Sequence, residues 1–408
     1  MQQVLCGGDS ISFRIDSWGC IYQGKLSADC LTISGGFSCE GEPPDRVDLK
    51  RVSSDSLIGL YPVHLDTTGN YYYRYRQPQK KGDGLKTGNA KEFGLSPQIL
   101  IQMVQQVGRC KYGRIHSLLI LKDDHLVCEE YFFGFDSEVL HPLESVTKSV
   151  TSLLLGIAWG QGKIGSMEQL VHYWFPEYAD LLRGTKHNIQ LRHLLTMRSG
   201  LQFDEQGMLF NPDRMRFLLS SALVDTPGRN FRYSAGNTEL LGAIIRRATG
   251  KPADLFAAEN LFRPLSIRRF SWDIFKQGEL PLCGGALWLR PRDMAKIGLL
   301  VLNGGRWQGI QIVPMEWIEK STAPLVETGI GEDRYGFQWW VSQIESGKQS
   351  FRMVWANGLG SQFIFIFPEL DLLLVTTGGN WDGGNGGRSW EIIELLKNYL
   401  QKLISKES

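Results

Sequence analysis

The sequence of 408 residues has no long hydrophobic run and almost no net charge. A membrane-spanning helix needs roughly 18 consecutive apolar residues, and no stretch of this chain reaches that length. The formal net charge is +1 at pH 7, so the chain lacks the excess positive charge with which proteins bind nucleic acid or anionic membranes. We therefore predict a globular protein with no membrane span and no nucleic-acid partner.

The N-terminus also lacks the basic segment and apolar core of a secretory signal peptide. On this ground we expect a cytoplasmic protein, or a periplasmic or secreted one if the sequence is a piece of a longer precursor.

The cysteines show no metal-binding pattern. There are seven of them, and four lie in the first 40 residues: Cys6, Cys20, Cys30 and Cys39. None forms a C-x-x-C pair and no histidine cluster accompanies them, so we predict no metal site. Free thiols are the favoured interpretation, and one or two disulfides in the N-terminal segment are the alternative.

Sequence patterning divides the chain into three parts. Residues 1–53 alternate short apolar strands with turn residues, which predicts a small antiparallel β-meander with an accessory role. Residues 54–95 are polar and rich in tyrosine and glycine, which favours an irregular connector on the surface. Residues 96–408 form the main domain.

The main domain is predicted to have an α+β fold. Its expected helices are 97–107, one starting at 145, 191–197, 238–249, 291–302 and 390–404, and its expected strands are 115–121, 126–132, 336–341, 362–367 and 372–377. Strands thus lie at both ends of the domain and helices lie in the middle. We expect one antiparallel sheet built from both chain ends, with flanking helices and a mostly helical insert covering one face.

The main domain contains the motif Ser145-Val146-Thr147-Lys148 at the head of an apolar helical run. Two residues three apart on a helix project from the same side. A serine hydroxyl becomes a good nucleophile when a neighbouring base removes its proton, and a neutral lysine is such a base. The motif is short, however, and taken alone it favours a buried helix that carries an unrelated serine and lysine.

Further segments give the motif a context. With these segments the sequence resembles the serine β-lactamase-like superfamily. The segments that carry the resemblance, in their order along the chain, are the Ser-x-x-Lys motif and residues 194–201, 227–237, 261–265, 305–309 and 358–362. That superfamily comprises class C β-lactamases, D-alanyl-D-alanine carboxypeptidases, related esterases and 6-aminohexanoate-dimer hydrolases. The resemblance runs from about Gly113 to the C-terminus. It implies a β-lactamase-like sheet and a hydrolase without metal or organic cofactor.

The resemblance also implies roles for individual residues. Ser145 would attack a carbonyl and form an acyl-enzyme, while Lys148 helps to remove its proton. Tyr233, which follows a Pro-Gly turn, would relay that proton to the leaving group and later activate water. The oxyanion would be bound by the N–H groups of Ser145 and Leu359.

The chain departs from lactam-active members at two positions. Where those members have Lys-Thr-Gly or His-x-Gly, this chain has Ala356-Asn357-Gly358, so an alanine stands in place of the cation. Where those members have an asparagine in the second motif, this chain has Ala235. Without the cation, binding of a substrate carboxylate should weaken by about 1–3 kcal/mol. Both departures favour the esterase and 6-aminohexanoate-dimer-hydrolase side of the superfamily.

Aromatic and acidic residues near these motifs are open to two interpretations. Four aromatic residues suit an apolar acyl pocket: Phe203, Trp339, Trp340 and Trp355. Packing in the core is the alternative interpretation. Asp204 and Glu205 contact substrate or face solvent.

The sequence therefore predicts a serine hydrolase that cleaves a small-molecule ester or small amide. The alternatives are a penicillin-recognising enzyme, an acyltransferase that uses the same acyl-enzyme, and a non-catalytic binding protein. The natural substrate and the oligomeric state stay open.

Overall fold

The computed structural model describes residues 4–15, 20–29, 31–39, 45–50, 73–273, 280–381 and 391–404. Expectations that concern Cys30, Trp390 and residues 51–72 lie outside these ranges. No helix among the described residues is long and apolar enough to cross a membrane.

The N-terminal segment is an antiparallel sheet, as the alternating pattern predicts. Its strands are β1 (Val4–Gly7), β2 (Ser10–Ile15), β3 (Cys20–Leu26), β4 (Thr32–Cys39), β5 (Asp45–Arg46) and β6 (Leu49–Lys50). Tyr22 is fully buried and donates hydrogen bonds to the carbonyls of Ile33 and Val47. Cys20 is disulfide-bonded, so the favoured interpretation of free thiols is wrong for this residue. Cys110, Cys128 and Cys283 are free.

The later strands form one large sheet and three small ones. They are β7 (Lys86–Thr87), β8 (Ile115–Lys122), β9 (His125–Tyr131), β10 (His141–Pro142), β11 (Leu201–Gln202), β12 (Ala222–Leu223), β13 (Ser271–Trp272), β14 (Leu287–Leu289), β15 (Arg306–Trp307), β16 (Ile310–Gln311), β17 (Val326–Glu327), β18 (Arg334–Tyr335), β19 (Trp340–Ser346), β20 (Gln349–Gly358), β21 (Gln362–Phe367) and β22 (Leu372–Gly378). The large sheet has the order β17-β18-β19-β20-β21-β22-β8-β9-β7. Strand β22 pairs antiparallel with β8, so the sheet is built from both ends of the domain, as predicted.

Helices cover both faces of this sheet. They are α1 (Pro97–Gly108), α2 (Val146–Gly160), α3 (Leu191–Leu195), α4 (Glu205–Phe210), α5 (Arg214–Ser220), α6 (Ala235–Thr249), α7 (Ala253–Ala257), α8 (Pro291–Leu302), α9 (Met315–Ser321) and α10 (Glu391–Ile404). Alternate residues of β8 face different cores. Leu119 and Leu121 pack with α2, α6 and α8, whereas Leu118 and Ile120 pack with α1 and α10. This alternation is the period of two expected for a strand buried on both faces.

The described part of the predicted connector, residues 73–95, is packed into the main domain. Strand β7 extends the large sheet by pairing parallel with β9, and Leu85 is buried. The carboxylate of Asp83 accepts two hydrogen bonds from Arg292 at the start of α8, at 2.7 and 2.9 Å. Residues 73–85 have no regular secondary structure and many of them are exposed, as expected for a connector, but the segment also buries apolar side chains and an ion pair against the main domain.

A second contact between this segment and the main domain, the one between Tyr73 and Glu130, predicts a measurable pH dependence of stability. It accepts a hydrogen bond of 2.6 Å from the Tyr73 hydroxyl, and burial raises the pKa of its carboxyl to about 7. Since the unfolded pKa is near 4.5, wild-type stability should fall as the pH rises from 4.5 to 7. We expect Glu130→Gln to become more stable relative to wild type across that window, by at most about 3 kcal/mol.

Thermal melts of both proteins at pH 5, 6, 7 and 8 measure this difference. Glu92→Gln on the neighbouring surface is the matched control, whose offset from wild type should stay constant with pH. A constant offset for Glu130→Gln as well would contradict the assignment of a buried, protonated Glu130.

Candidate active site

Ser145 lies at the start of α2, directly after a sharp turn. Glu144, the residue before it, has a left-handed backbone with φ of +49°, which a non-glycine residue adopts at a cost and which is common near functional sites. Ser145 has φ of −67°, and its side chain makes no helix-capping hydrogen bond. Its Oγ is therefore available to Lys148, whose Nζ lies 2.8 Å away.

Lys148 is held in a buried position between three segments of the chain. It is 3% exposed, and its Nζ also donates to the carbonyl oxygen of Gly284 at 2.5 Å. The N–H of Gly284 in turn donates to Oε1 of Glu239 in α6, at 2.8 Å. A chain of hydrogen bonds thus connects the Ser145 hydroxyl to a buried carboxyl group.

Two carboxyl groups near Lys148 have raised pKa values. Burial raises the pKa of Glu239, and the nearby charges of Arg214 and Lys148 oppose this effect. Burial also raises the pKa of Glu144, with Lys148 opposing the shift and Asp273 reinforcing it.

Tyr233 presents its ring to the Lys148 amine. Lys148 Nζ lies 5.1 Å from the centroid of the ring, which is the distance of a cation–π contact. The ring also packs against Trp340 and Tyr335, with centroid separations of 5.5 and 6.2 Å. The predicted three residues Ser145, Lys148 and Tyr233 are therefore neighbours in the structure.

The loop that carries Tyr233 is fastened on both sides. Before it, the N–H of Arg232 donates to the carbonyl of Met197 at 2.8 Å. After it, Oε1 of Glu205 accepts from the Ser234 hydroxyl and from the N–H of Ala235, at 2.7 and 2.6 Å. Asp204 caps α4 by accepting from the N–H of Gly207. Of the two acidic residues left open by the sequence, Glu205 lies at the site and Asp204 has a capping role.

Gly358 brings the end of β20 against the turn before Ser145. A Cβ atom at Gly358 would lie 2.2 Å from the carbonyl oxygen of Leu143, so only glycine permits this approach. Asn357 is half-buried within β20 and pairs with Phe363 of β21. Leu359 follows with its side chain 48% exposed. The predicted oxyanion residue thus leaves the sheet beside the Ser145 turn.

A cavity of about 310 Å³ opens on Ser145 and Lys148. Its wall contains four acidic residues, Glu144, Glu205, Glu239 and Asp273, and the apolar residues Met208, Leu209, Leu282 and Trp288. Among the described residues that line it, Lys148 is the only cation.

The predicted aromatic residues do not line this cavity. Trp339 is fully buried in the core beneath the sheet. Phe203 is half-buried and packs on Gly236, where an added Cβ would lie 2.3 Å from its ring. Their proposed role in binding an acyl group stays a prediction.

Sequence reasoning missed three residues that position Lys148: Gly284, Glu239 and Gln338. The carbonyl of Gln338 accepts from the hydroxyl of Ser149, the residue after Lys148, at 2.6 Å. Its side chain accepts from Thr238 in α6 and donates to two carbonyls of α3. The one sequence signal is the Gly284-Gly285 pair, which indicates an ordinary turn equally well.

The fold agrees with comparisons to known proteins. The model of the Beta-lactamase family matches residues 116–386, and the chain belongs to this family. The 6-aminohexanoate-dimer hydrolase of Paenarthrobacter ureafaciens is 23% identical over 287 residues, which cover 64% of this chain and 71% of the relative. Esterase EstB of Burkholderia gladioli is 27% identical over 150 residues, and this match covers 32% of this chain and 38% of EstB.

Two solved structures show the breadth of the fold. EstCE1, a hydrolase with promiscuous acyltransferase activity, superposes with a TM-score of 0.61 at 18% identity, over 74% of this chain and 99% of EstCE1. An octameric penicillin-binding protein homologue from Pyrococcus abyssi superposes with a TM-score of 0.59 at 19% identity, over 75% of this chain and 78% of the homologue. At these identities the likeness concerns the fold alone.

Proposed function

We propose that this chain is a serine hydrolase that cleaves a carboxylic ester or small amide through an acyl-enzyme on Ser145. The observation that carries the proposal is the 2.8 Å contact between Lys148 Nζ and Ser145 Oγ. A serine hydroxyl needs such a base within hydrogen-bond reach before it attacks a carbonyl. Membership of the Beta-lactamase family supports a hydrolase.

Lys148 acts as the base towards the Ser145 hydroxyl. In the structure Nζ donates to Ser145 Oγ and to the Gly284 carbonyl; in the reaction the lone pair of Nζ accepts the Ser145 proton, while an N–H keeps its bond to Gly284. As Oγ bonds to the substrate carbonyl carbon, the proton moves to Nζ. Tyr233, whose ring faces Nζ, gives its hydroxyl proton to the leaving alcohol or amine and takes the proton held on Nζ in return. Water then attacks the ester of Ser145, Tyr233 and Lys148 take the proton from the water and return one to Ser145 Oγ, and the acid leaves.

The developing oxyanion requires preorganised N–H donors. The N–H groups of Ser145 and Leu359 fill this role in the proposal, because Gly358 brings the end of β20 against the residues before Ser145. The positive end of the α2 dipole adds to the stabilisation at Ser145.

The charge of the cavity favours neutral or cationic substrates over anionic ones. Its described lining has four acidic residues and one lysine. Burial raises the pKa of Glu144 and Glu239, and the remaining two carboxyl groups, Glu205 and Asp273, still outnumber the lysine. Ala235 packs closely on Gly284, where an added Cβ would lie 2.7 Å from the Ala235 Cβ, so no side-chain amide is available there for a lactam substrate. These features support an esterase or amidase.

The second candidate is a penicillin-recognising enzyme, which would use the same contact between Lys148 and Ser145. An acyltransferase is a variant of the main proposal, since an alcohol can replace water in the second step.

We expect kcat/KM for p-nitrophenyl butyrate to exceed that for a chromogenic cephalosporin by about 10- to 100-fold, because the cavity repels the cephalosporin carboxylate and offers it no second cation. Initial rates with the purified wild type measure both values. Comparable rates for the two substrates would instead favour the penicillin-recognising enzyme.

Two inhibitors of similar size separate the effect of charge from that of shape. Butyltrimethylammonium should inhibit ester hydrolysis at lower concentration than pentanoate at the same ionic strength. Stronger inhibition by pentanoate would contradict the electrostatic argument while leaving the ester activity itself intact.

A further inference from the structure

A second cavity, of about 470 Å³, lies among the end of α2, residues 165–168, α3 and α9. It shares no lining residue with the cavity at Ser145. Its wall contains the aromatic residues Trp159 and Phe337 and the cations Arg192, Arg198 and Lys320. Glu168 is the one carboxylate among the described lining residues.

Arg198 is poorly compensated in this position. Its Nε is buried and has no hydrogen-bond partner among the described residues. Burial lowers the pKa of its guanidinium, and the neighbouring charge of Arg192 adds to this effect. Two cations next to each other, one of them with a buried unpaired donor, destabilise the site unless an anion joins them.

The other charged groups leave a positive excess. Arg192 uses its Nε to donate to Gln190 at 2.7 Å, which leaves the two terminal nitrogens of its guanidinium for other partners. Lys320 lies over the ring of Trp159, with Nζ 5.6 Å from the centroid, and its Nζ also donates to Oε1 of Glu316 at 2.7 Å. Glu168 accepts from Ser166 at the exposed rim. Because Lys320 is paired with Glu316, the excess comes from Arg192 and Arg198 against Glu168, which is a net charge of +1.

We propose that this cavity binds a small organic anion, with a carboxylate, sulfonate or phosphate between Arg192 and Arg198 and an apolar group against Trp159 and Phe337. Arginine guanidinium groups match such oxyanions in geometry and charge. The volume of about 470 Å³ lies within the range of small-molecule sites.

The position of the cavity places such a ligand behind the Tyr233 loop. The carbonyl of Arg198 accepts from the N–H of Gly228 at 2.7 Å, and Gly228 belongs to the turn that leads to Tyr233. Because the cavity is connected to the Tyr233 loop, the binding test uses the Ser145→Ala variant, in which no catalytic turnover contributes to the measured heat of binding.

Calorimetric titration with 1-naphthalenesulfonate tests the proposal, with 1-naphthalenemethanol as the apolar probe and inorganic sulfate as the anionic probe. We expect the sulfonate to bind more tightly than either single-feature probe and to weaken with added salt. Arg192→Gln and Arg198→Gln should each weaken sulfonate binding by about tenfold. Glu168→Gln should tighten it.

Arg183→Gln is the matched control, because Arg183 is an exposed arginine outside the cavity. This variant should bind the sulfonate with the same affinity as the parent. The exposed Arg192 variant keeps the test valid if Arg198→Gln does not fold. The proposal would be overturned if the parent and both cavity variants bound 1-naphthalenesulfonate with equal affinity. It would also be overturned if the parent bound 1-naphthalenesulfonate and 1-naphthalenemethanol equally tightly. Absence of sulfonate binding up to about 5 mM would also overturn it.

Discussion

Replacing Ser145 by alanine is expected to lower kcat for p-nitrophenyl butyrate by at least about 10³-fold. The change removes the oxygen that lies 2.8 Å from Lys148 Nζ and forms the acyl-enzyme in the proposed mechanism. The Ser145 side chain makes no capping hydrogen bond, so the melting temperature should change little. Steady-state kinetics and thermal melts of the purified proteins measure both effects.

Ser152→Ala is the matched control for this experiment. Ser152 lies on the same helix, is fully buried, and its Oγ has no hydrogen-bond partner among the described residues. This variant should keep wild-type kcat and should still be labelled by a fluorophosphonate, whereas Ser145→Ala should not be labelled. If Ser145→Ala retains the activity of Ser152→Ala, the proposed mechanism is wrong.

Replacing Tyr233 by phenylalanine is expected to lower kcat by about 10²- to 10⁴-fold, the usual contribution of a positioned general acid or base. The phenylalanine ring keeps the contacts with Trp340 and Tyr335, so the loop should keep its conformation. The same ester assay, with melts to verify folding, measures the loss.

Tyr335→Phe provides the comparison for Tyr233→Phe. Tyr335 is 1% exposed, and burial raises the pKa of its hydroxyl well above the usual range, so it is unsuited to proton transfer. Its variant should lose less than about threefold in kcat. Equal losses in the two variants would show that ring packing, rather than the Tyr233 hydroxyl, explains the effect.

Several elements of the fold could be predicted because their signals are local. Helix α8 has the predicted bounds, Pro291–Leu302, since proline in the first turn and an apolar period of 3.6 define it. Strand β21 also has its predicted bounds, Gln362–Phe367. In both cases neighbouring residues carry the information that the element needs.

Other elements could not be predicted from local patterns. Residues 336–341 are aromatic-rich and predict a strand, yet Gln338 has φ of +63° and β19 begins at Trp340. The buried hydrogen bonds of Gln338 to α2, α3 and α6 outweigh the strand propensity of its neighbours. The ion pair between Asp83 and Arg292 joins residues 209 positions apart, and no window of the sequence indicates it.

The sequence by itself determined the pairing of Ser145 with Lys148, because residues three apart on one helix must be neighbours. It also determined that no lysine or histidine stands at Ala356. Only the tertiary structure decided that Gly284, 136 positions away, would hold the Lys148 amine, and that four acidic residues from separate segments would line one cavity. The physical reason is that such contacts join segments far apart in the chain, which meet only when the helices and loops of the domain pack together, and packing of this kind leaves no local pattern in the sequence.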